Sequence, residues 1–226
     1  MKTRTSLILL ALGVLALVAV QPAPCSAGFI GDTAGNTVTA TADRWESYAP
    51  PSNLVDGSGM SDSPVLMTSK VNSGVNWAVQ WLAAYGGASP TSGYALFTFT
   101  KNTSLDEIVI WNAGDGEGGS GDTWATRRGM KAVTITCSTG ADTTGTGTSL
   151  WSGNLTQCTW PAGGQPYTDD LTFTKVANVK AVKIAYTSNW GGDYVGLSEV
   201  RFAPEPATMA LLGLGGLGLL LGRKRR

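Results

Sequence analysis

Ala132-Val133-Thr134-Ile135-Thr136-Cys137 alternates along its whole length, with Val133 and Ile135 on one side and the threonines on the other. Ala181-Val182-Lys183-Ile184-Ala185-Tyr186 repeats the pattern, with Val182, Ile184 and Tyr186 between small or charged residues. Successive side chains of a strand point to opposite faces, so each run reads as a half-buried β-strand. Working outward, similar short runs occur at Thr37–Ala42, Trp77–Trp81, Tyr94–Phe99, Leu105–Trp111, Leu171–Phe173 and Leu197–Phe202. The connections are rich in Gly, Ser, Thr, Asn and Asp, and no useful helical period exists outside the two ends of the chain. About eight short strands with turn-rich connections predict an all-β, antiparallel sandwich.

The two ends read differently. Lys2 and Arg4 precede an apolar stretch, Leu7 to Val20, and Cys25-Ser26-Ala27 offers small residues for cleavage before Gly28. That order predicts a secretory signal peptide, with its helix, over residues 1–27. A lipoprotein reading would lipidate Cys25, but Pro24 occupies the place of a small residue before the Cys. At the other end, Pro204-Glu205-Pro206 is followed by an apolar run, Ala207 to Leu221, and then by Arg223-Lys224-Arg225-Arg226. As a helix, about 15 residues reach roughly 22 Å, short for a ~30 Å hydrocarbon core. The span still suits a transient membrane anchor, with the basic cluster held on the cytoplasmic side.

The chain has 226 residues, with 16 Lys and Arg balancing 16 Asp and Glu. Six of the basic residues, but only Glu205 among the acidic ones, lie in the two ends, so the part between carries about −5. A mildly acidic domain without a basic stripe is a poor nucleic-acid binder. Residues 28–203 are enough for one domain with a real core. The sequence holds no His, which excludes a Ser-His-Asp triad and a Cys-His pair. In an oxidising compartment Cys137 and Cys158 read as a disulfide, worth ~3 kcal/mol for a loop of about 21 residues, with two free thiols as the alternative.

Two connections are long and polar. Ala113 to Gly129 mixes Asp115, Glu117, Asp122, Trp124, Arg127 and Arg128 with many glycines. Ser138 to Ser149 is almost wholly Thr, Gly, Ser, Ala and Asp, and resembles a spacer or mobile tip. Paired carboxylates occur at Asp106/Glu107, Asp115/Glu117 and Asp169/Asp170. Glycoside hydrolysis needs two carboxyls facing each other ~5–9.5 Å apart, and strand neighbours such as Asp106 and Glu107 point to opposite faces. No enzymatic activity is expected.

Taken in order, the residues carry two resemblances. Ala203-Pro204-Glu205-Pro206, the Gly/Leu-rich span and Arg223, Lys224, Arg225 and Arg226 resemble the PEP-CTERM sorting signal of Gram-negative bacteria. Ala203 departs slightly from the Val often found there. This resemblance implies recognition and processing by an exosortase, export through the inner membrane, membrane anchoring and then release to the cell surface or an exopolysaccharide matrix.

The second resemblance spans about residues 37–202. Pro50-Pro51-Ser52-Asn53-Leu54-Val55-Asp56-Gly57, then Leu105-Asp106-Glu107-Ile108-Val109-Ile110-Trp111-Asn112, then Arg128-Gly129-Met130-Lys131-Ala132-Val133, and finally Asn189-Trp190-Gly191-Gly192-Asp193-Tyr194-Val195-Gly196-Leu197-Ser198-Glu199-Val200-Arg201-Phe202 follow one another. The set resembles the discoidin, or coagulation-factor type C, domain among the galactose-binding-like jelly rolls. It implies a structural Ca²⁺ held by Asp56 and Glu199, with Asn53, Ser58 and Ser61 as further oxygen ligands. Calcium's demand for six to eight oxygens suits such a set; the alternative is a tight turn at Asp56-Gly57 and a surface Glu199. The resemblance also implies glycan binding at the loops of one end. There Trp190, Tyr194 or Trp124 would stack on a sugar, and Arg127, Asn112 and Asp193 would bond its hydroxyls. Trp45 also lies in loop-like sequence.

The expected protein is a surface-sorted, non-catalytic carbohydrate-binding module. A structural or adhesive protein using the sandwich for protein contacts is the main alternative. Ice binding would need a flat threonine array, and Thr143–Thr148 reads as a loop.

Overall fold

A computed structural model describes residues 35–56, 80–83, 92–113, 125–158 and 168–203. All lie in one compact unit, Ala27–Glu205. The signal segment 1–27 and the sorting residues Pro204, Glu205, Pro206, Arg223, Lys224, Arg225 and Arg226 lie outside the described residues, as do both expected terminal helices. Among the described residues no helix is long and apolar enough to cross a membrane.

Among the described residues seven antiparallel strands form the fold: β1 (Val38–Ala42), β2 (Trp81–Leu82), β3 (Gly93–Asn112), β4 (Ala132–Thr139), β5 (Thr148–Asn154), β6 (Thr168–Tyr186) and β7 (Gly196–Ala203). Their order is β2-β7-β3-β6-β4-β5, with β1 paired to β3 beside this path. β3 and β6 each join two runs that the sequence shows as separate strands. The first half of β3 pairs with β1 and the second half with β7, while β6 accompanies it throughout. Register shifts between Thr98, Thr103, Leu105 and Glu107 mark the bend, and Asn178 on β6 takes a positive φ of 63° there. Bulges of this kind bend a strand and raise its twist. The continuous ladder therefore folds into two layers, a jelly-roll sandwich.

The alternating apolar side chains meet between the layers. Phe97 and Phe99 of one layer pack edge-on against Phe202 of the other, with centroids 5.2 and 5.0 Å apart. Such pairs add about 0.5–1.5 kcal/mol beyond burial. Val133, Ile135, Val182, Ile184 and Tyr186 enter the same core, as their alternation requires. Trp81 lies edge-on to Tyr186 at 6.5 Å.

Two expectations are corrected. Cys137 and Cys158 are both buried and form no disulfide. Cys137 stands opposite Thr148 at one end of the β4–β5 hairpin, while Ala132 and Asn154 pair at the other end, before Cys158. Five residues of strand separate these ends by about 17 Å, whereas a bridge needs Cα atoms within about 7 Å.

The connection between β4 and β5 is also not a mobile tip. Gly145 is buried, with a φ of +67°, and its carbonyl accepts from Thr136 Oγ1 at 2.6 Å while its N–H donates to Ser138 Oγ at 3.0 Å. A Cβ at Gly145 would sit 2.8 Å from Leu96 Cδ1 and 2.9 Å from the Lys183 backbone nitrogen, so the loop lies down on the outer face of the sheet.

Candidate functional site

Because β3 and β6 fold over, their outer ends converge. Gly93 pairs with Tyr186 in one layer, and Asn112 pairs with Leu197 in the other. Gly129 bridges to Gly196 and Met130 to Asn189, so the turns after β1, before β4, after β5 and between β6 and β7 share one end of the sandwich. Most of the described candidate glycan residues fall there.

A 3-10 turn, Ala125–Arg128, carries Arg127 and Arg128. The Arg127 carbonyl accepts from the backbone N–H groups of Trp190 and Gly192, each at 3.1 Å, which fixes the β6–β7 loop against this turn. Arg127 itself is exposed. A Cβ on Gly192 would meet Arg127 and Arg128 backbone atoms at 2.9–3.0 Å, so only glycine permits this approach. Asn189 closes the loop by donating from Nδ2 to the carbonyls of Gly192 and Tyr194.

The Arg128 guanidinium lies 5.1 Å from the centroid of the Tyr194 ring. Tyr194 is in turn hydrogen-bonded to Tyr48, whose hydroxyl is pushed up to about 12 by burial, by Tyr194 and by Glu46. Tyr48 and Trp45 are the large apolar side chains most open to solvent among the described residues, 42% and 48% exposed. Trp190 is half-buried, with Lys131 Nζ 4.8 Å from its ring centroid and its Nε1 buried without a hydrogen-bond partner among the described residues. Asp193 is half-buried.

Asn112 is turned inward. It is 3% exposed, its Nδ2 donates to the carbonyls of Met130 (2.8 Å) and Thr156 (2.9 Å), and its Oδ1 accepts from Ala113 N–H at 3.0 Å. A side chain fully used in tying three connections together is closed to a sugar, which corrects its expected role. Trp124, with Asp115, Glu117 and Asp122, lies outside the described residues. Tyr48 was absent from the expected set; its exposure follows from the tight turn between Glu46 and Ala49, closed by the Ala49 N–H to Glu46 carbonyl bond at 2.9 Å.

Of the expected calcium ligands, Asn53, Asp56 and Glu199 fall among the described residues. Asn53 is buried and donates from Nδ2 to the Gln80 carbonyl at 2.9 Å, and Asp56 is exposed beyond the 3-10 turn Pro51–Leu54. Glu199 is fully buried, and its Oε1 lies 2.6 Å from Nε of Arg201, itself 4% exposed. Ser58 and Ser61 lie outside the described residues. No group of three or more His, Cys, Asp or Glu suited to a metal occurs among the described residues. The rest of the loop expected to hold calcium, residues 57–79, also lies outside the described residues.

Residues 203–226 match the PEP-CTERM protein-sorting motif. No curated protein matches the chain. Among solved structures, the chain is similar to chitosan-binding module 1 of a chitosanase/glucanase from Paenibacillus sp. IK-5, with 20% identity, 73% of this chain and 92% of that one covered, and a TM-score of 0.45. A CBM32 module from Clostridium perfringens in complex with GalNAc-β-1,3-galactose gives 12% identity, 74% and 94% coverage and a TM-score of 0.48. The family 32 module of Clostridium perfringens NanJ in complex with galactose gives 15%, 73%, 92% and 0.44.

Proposed function

We propose that this chain is an exported, surface-sorted protein whose sandwich binds carbohydrate without transforming it. The observation that carries the reading is the aromatic and cationic end of the sandwich. There Trp45 and Tyr48 stand exposed, Tyr48 is bonded to Tyr194, Arg128 lies over Tyr194, and Arg127 reaches solvent from the adjoining turn. A flat ring matches the apolar face of a pyranose, and a guanidinium donates to its hydroxyls. In this reading Trp45 and Tyr48 form the stacking surface, Arg127 and Asp193 supply polar contacts, and Trp190 supports the loop.

The sorting motif supports processing by an exosortase in a Gram-negative envelope, with the tail as a transient membrane anchor. Retention in exopolysaccharide would follow from the two parts acting together. Affinity electrophoresis of the full-length chain in gels cast with different polysaccharides tests this. Retardation by at least one glycan, abolished in a Trp45→Ala/Tyr48→Ala double variant that keeps its melting temperature, is the expected result. Binding to cells without sugar competition, and no retardation by any glycan, would favour an adhesive protein instead.

A further inference from the structure

We propose that Asp43 and Arg44 select a neutral sugar bearing two adjacent hydroxyls at the exposed Trp45, an inference that rests on the carbohydrate-binding reading of this end of the sandwich. The three residues follow β1 directly, and the turn that carries them is tied to the strands beside it. The Asp43 N–H donates to the Tyr94 carbonyl at 3.3 Å, and the Tyr94 N–H donates to Asp43 Oδ1 at 3.1 Å. The Arg44 carbonyl accepts from Trp81 Nε1 at 3.3 Å, and the Glu46 N–H donates to the Leu82 carbonyl at 3.0 Å. Trp81 is fully buried, so the turn is anchored in the core and little ordering is left for a ligand to bring about.

This turn presents an acceptor beside a donor. Arg44 Nε lies 3.3 Å from Asp43 Oδ2, with the Arg44 side chain 48% and the Asp43 side chain 20% exposed. No hydrogen bond to the terminal nitrogens of Arg44 occurs among the described residues, and a carboxylate holding two bonds has lone pairs to spare. Adjacent sugar hydroxyls each donate and accept. One can donate to Asp43 while its neighbour accepts from Arg44, with the face of the sugar on Trp45. Glycine at position 93 makes room for the carboxylate: a Cβ there would stand 2.8 and 2.9 Å from its two oxygens and 2.6 Å from Tyr186 Oη. That phenol is 1% exposed and has no hydrogen-bond partner among the described residues, so an unmet donor adjoins the acceptor. Charge favours a neutral polymer. Asp43 and Asp193 offset Arg44 and Arg127, and the chain between its two ends carries about −5, so a polyuronate gains no attraction.

The test is affinity electrophoresis of the full-length chain in gels cast with galactomannan, dextran or alginate, with melting curves in parallel. Retardation by galactomannan or dextran, but not by alginate, is the expected result. Asp43→Asn keeps an acceptor for the Tyr94 N–H, and Arg44→Gln lies at an exposed position. Each should weaken the retarding interaction about tenfold or more at an unchanged melting temperature. Retardation by alginate as strong as by the neutral polymers would overturn the inference. So would folded Asp43→Asn and Arg44→Gln variants that bind like the parent; if Trp45→Ala/Tyr48→Ala then still abolishes binding, the carbohydrate site stands and only the selecting pair is lost. A parent chain that none of the three polymers retards overturns the inference as well, while retardation by another glycan keeps the broader reading. Should Asp43→Asn fail to fold, Arg44→Gln decides.

Discussion

The ammonium of Lys131 lies 4.8 Å from the centroid of the Trp190 ring, and so covers the face that a sugar would need. Trp45 is 48% exposed on the turn after β1, and among the described residues no cation lies over its ring. Trp45→Ala should therefore lower glycan affinity about tenfold or more with little change in stability. Trp190→Ala should instead lower the melting temperature first. Parallel affinity gels and melting curves separate the two, and equal loss of binding in folded forms of both variants would return Trp190 to the stacking role.

Asn112 should behave as a structural residue. Its amide joins Met130, Thr156 and Ala113, all at 2.8–3.0 Å. Asn112→Ala removes these bonds and strands the buried Met130 carbonyl, at a cost of about 2–3 kcal/mol. Arg127→Ala, at an exposed position, should stay within about 0.5 kcal/mol of the parent. Urea unfolding measures both.

The thiols should report burial rather than oxidation. Cys137 is fully buried on β4, and burial pushes its thiol up from the ordinary range. Maleimide should label neither Cys137 nor Cys158 in the native chain and both after denaturation without reductant. A mass two units lower, recovered only on reduction, would show a bridge after all.

Alkaline pH should weaken the fold. Burial and the nearby Asp43 push the Tyr186 hydroxyl up to about 12, and burial with Tyr194 does the same for Tyr48. The folded chain keeps two protons that the unfolded chain releases from pH 10 upward. Stability is thus intact below pH 10 and declines as pH rises toward 12. The Tyr186 hydroxyl is buried with no hydrogen-bond partner among the described residues. Tyr186→Phe should therefore be neutral or stabilising at pH 7 and should flatten the alkaline limb.

Glu107 gives the acidic counterpart. Burial, then Asp170 and Asp106, hold its carboxyl above the ordinary range. As pH rises through that range the unfolded chain loses its proton first, so this group removes stability on going from pH 4 to neutrality. Glu107→Gln should raise the melting temperature at pH 7 and leave it unchanged at pH 3.

The layers of the fold were legible because Val133, Ile135, Val182 and Ile184 alternate without exception. The long strands were not, because Lys101-Asn102-Thr103-Ser104 has the composition of a turn, and only the tertiary bend shows that hydrogen bonding continues through it. Strand β5 was missed for another reason. As an edge strand, Thr-Ser-Leu-Trp-Ser-Gly-Asn buries no alternating set and leaves no periodic trace. At the candidate site, Trp190, Tyr194, Arg127 and Asp193 share one loop end. The inward turn of Asn112 depends on Met130 and Thr156, 18 and 44 residues away, which spacing does not encode. The same holds for the cysteines: an even pair in an oxidising compartment reads as a disulfide, and only the hairpin register sets them at opposite ends of β4.

The order of synthesis gives the topology a last consequence. Strand β7 brings Val200 and Phe202 to the core and lies between β2 and β3, yet it is the final strand of the domain. Until residues 196–203 emerge, Phe97 and Phe99 lack their ring partner and Trp81 lacks the strand it pairs with. A chain delivered from its N-terminus, whether by a ribosome or through a membrane pore, thus stays open and threadable until almost its last residues have passed. Compaction is timed by the same segment that leads directly into the sorting tail.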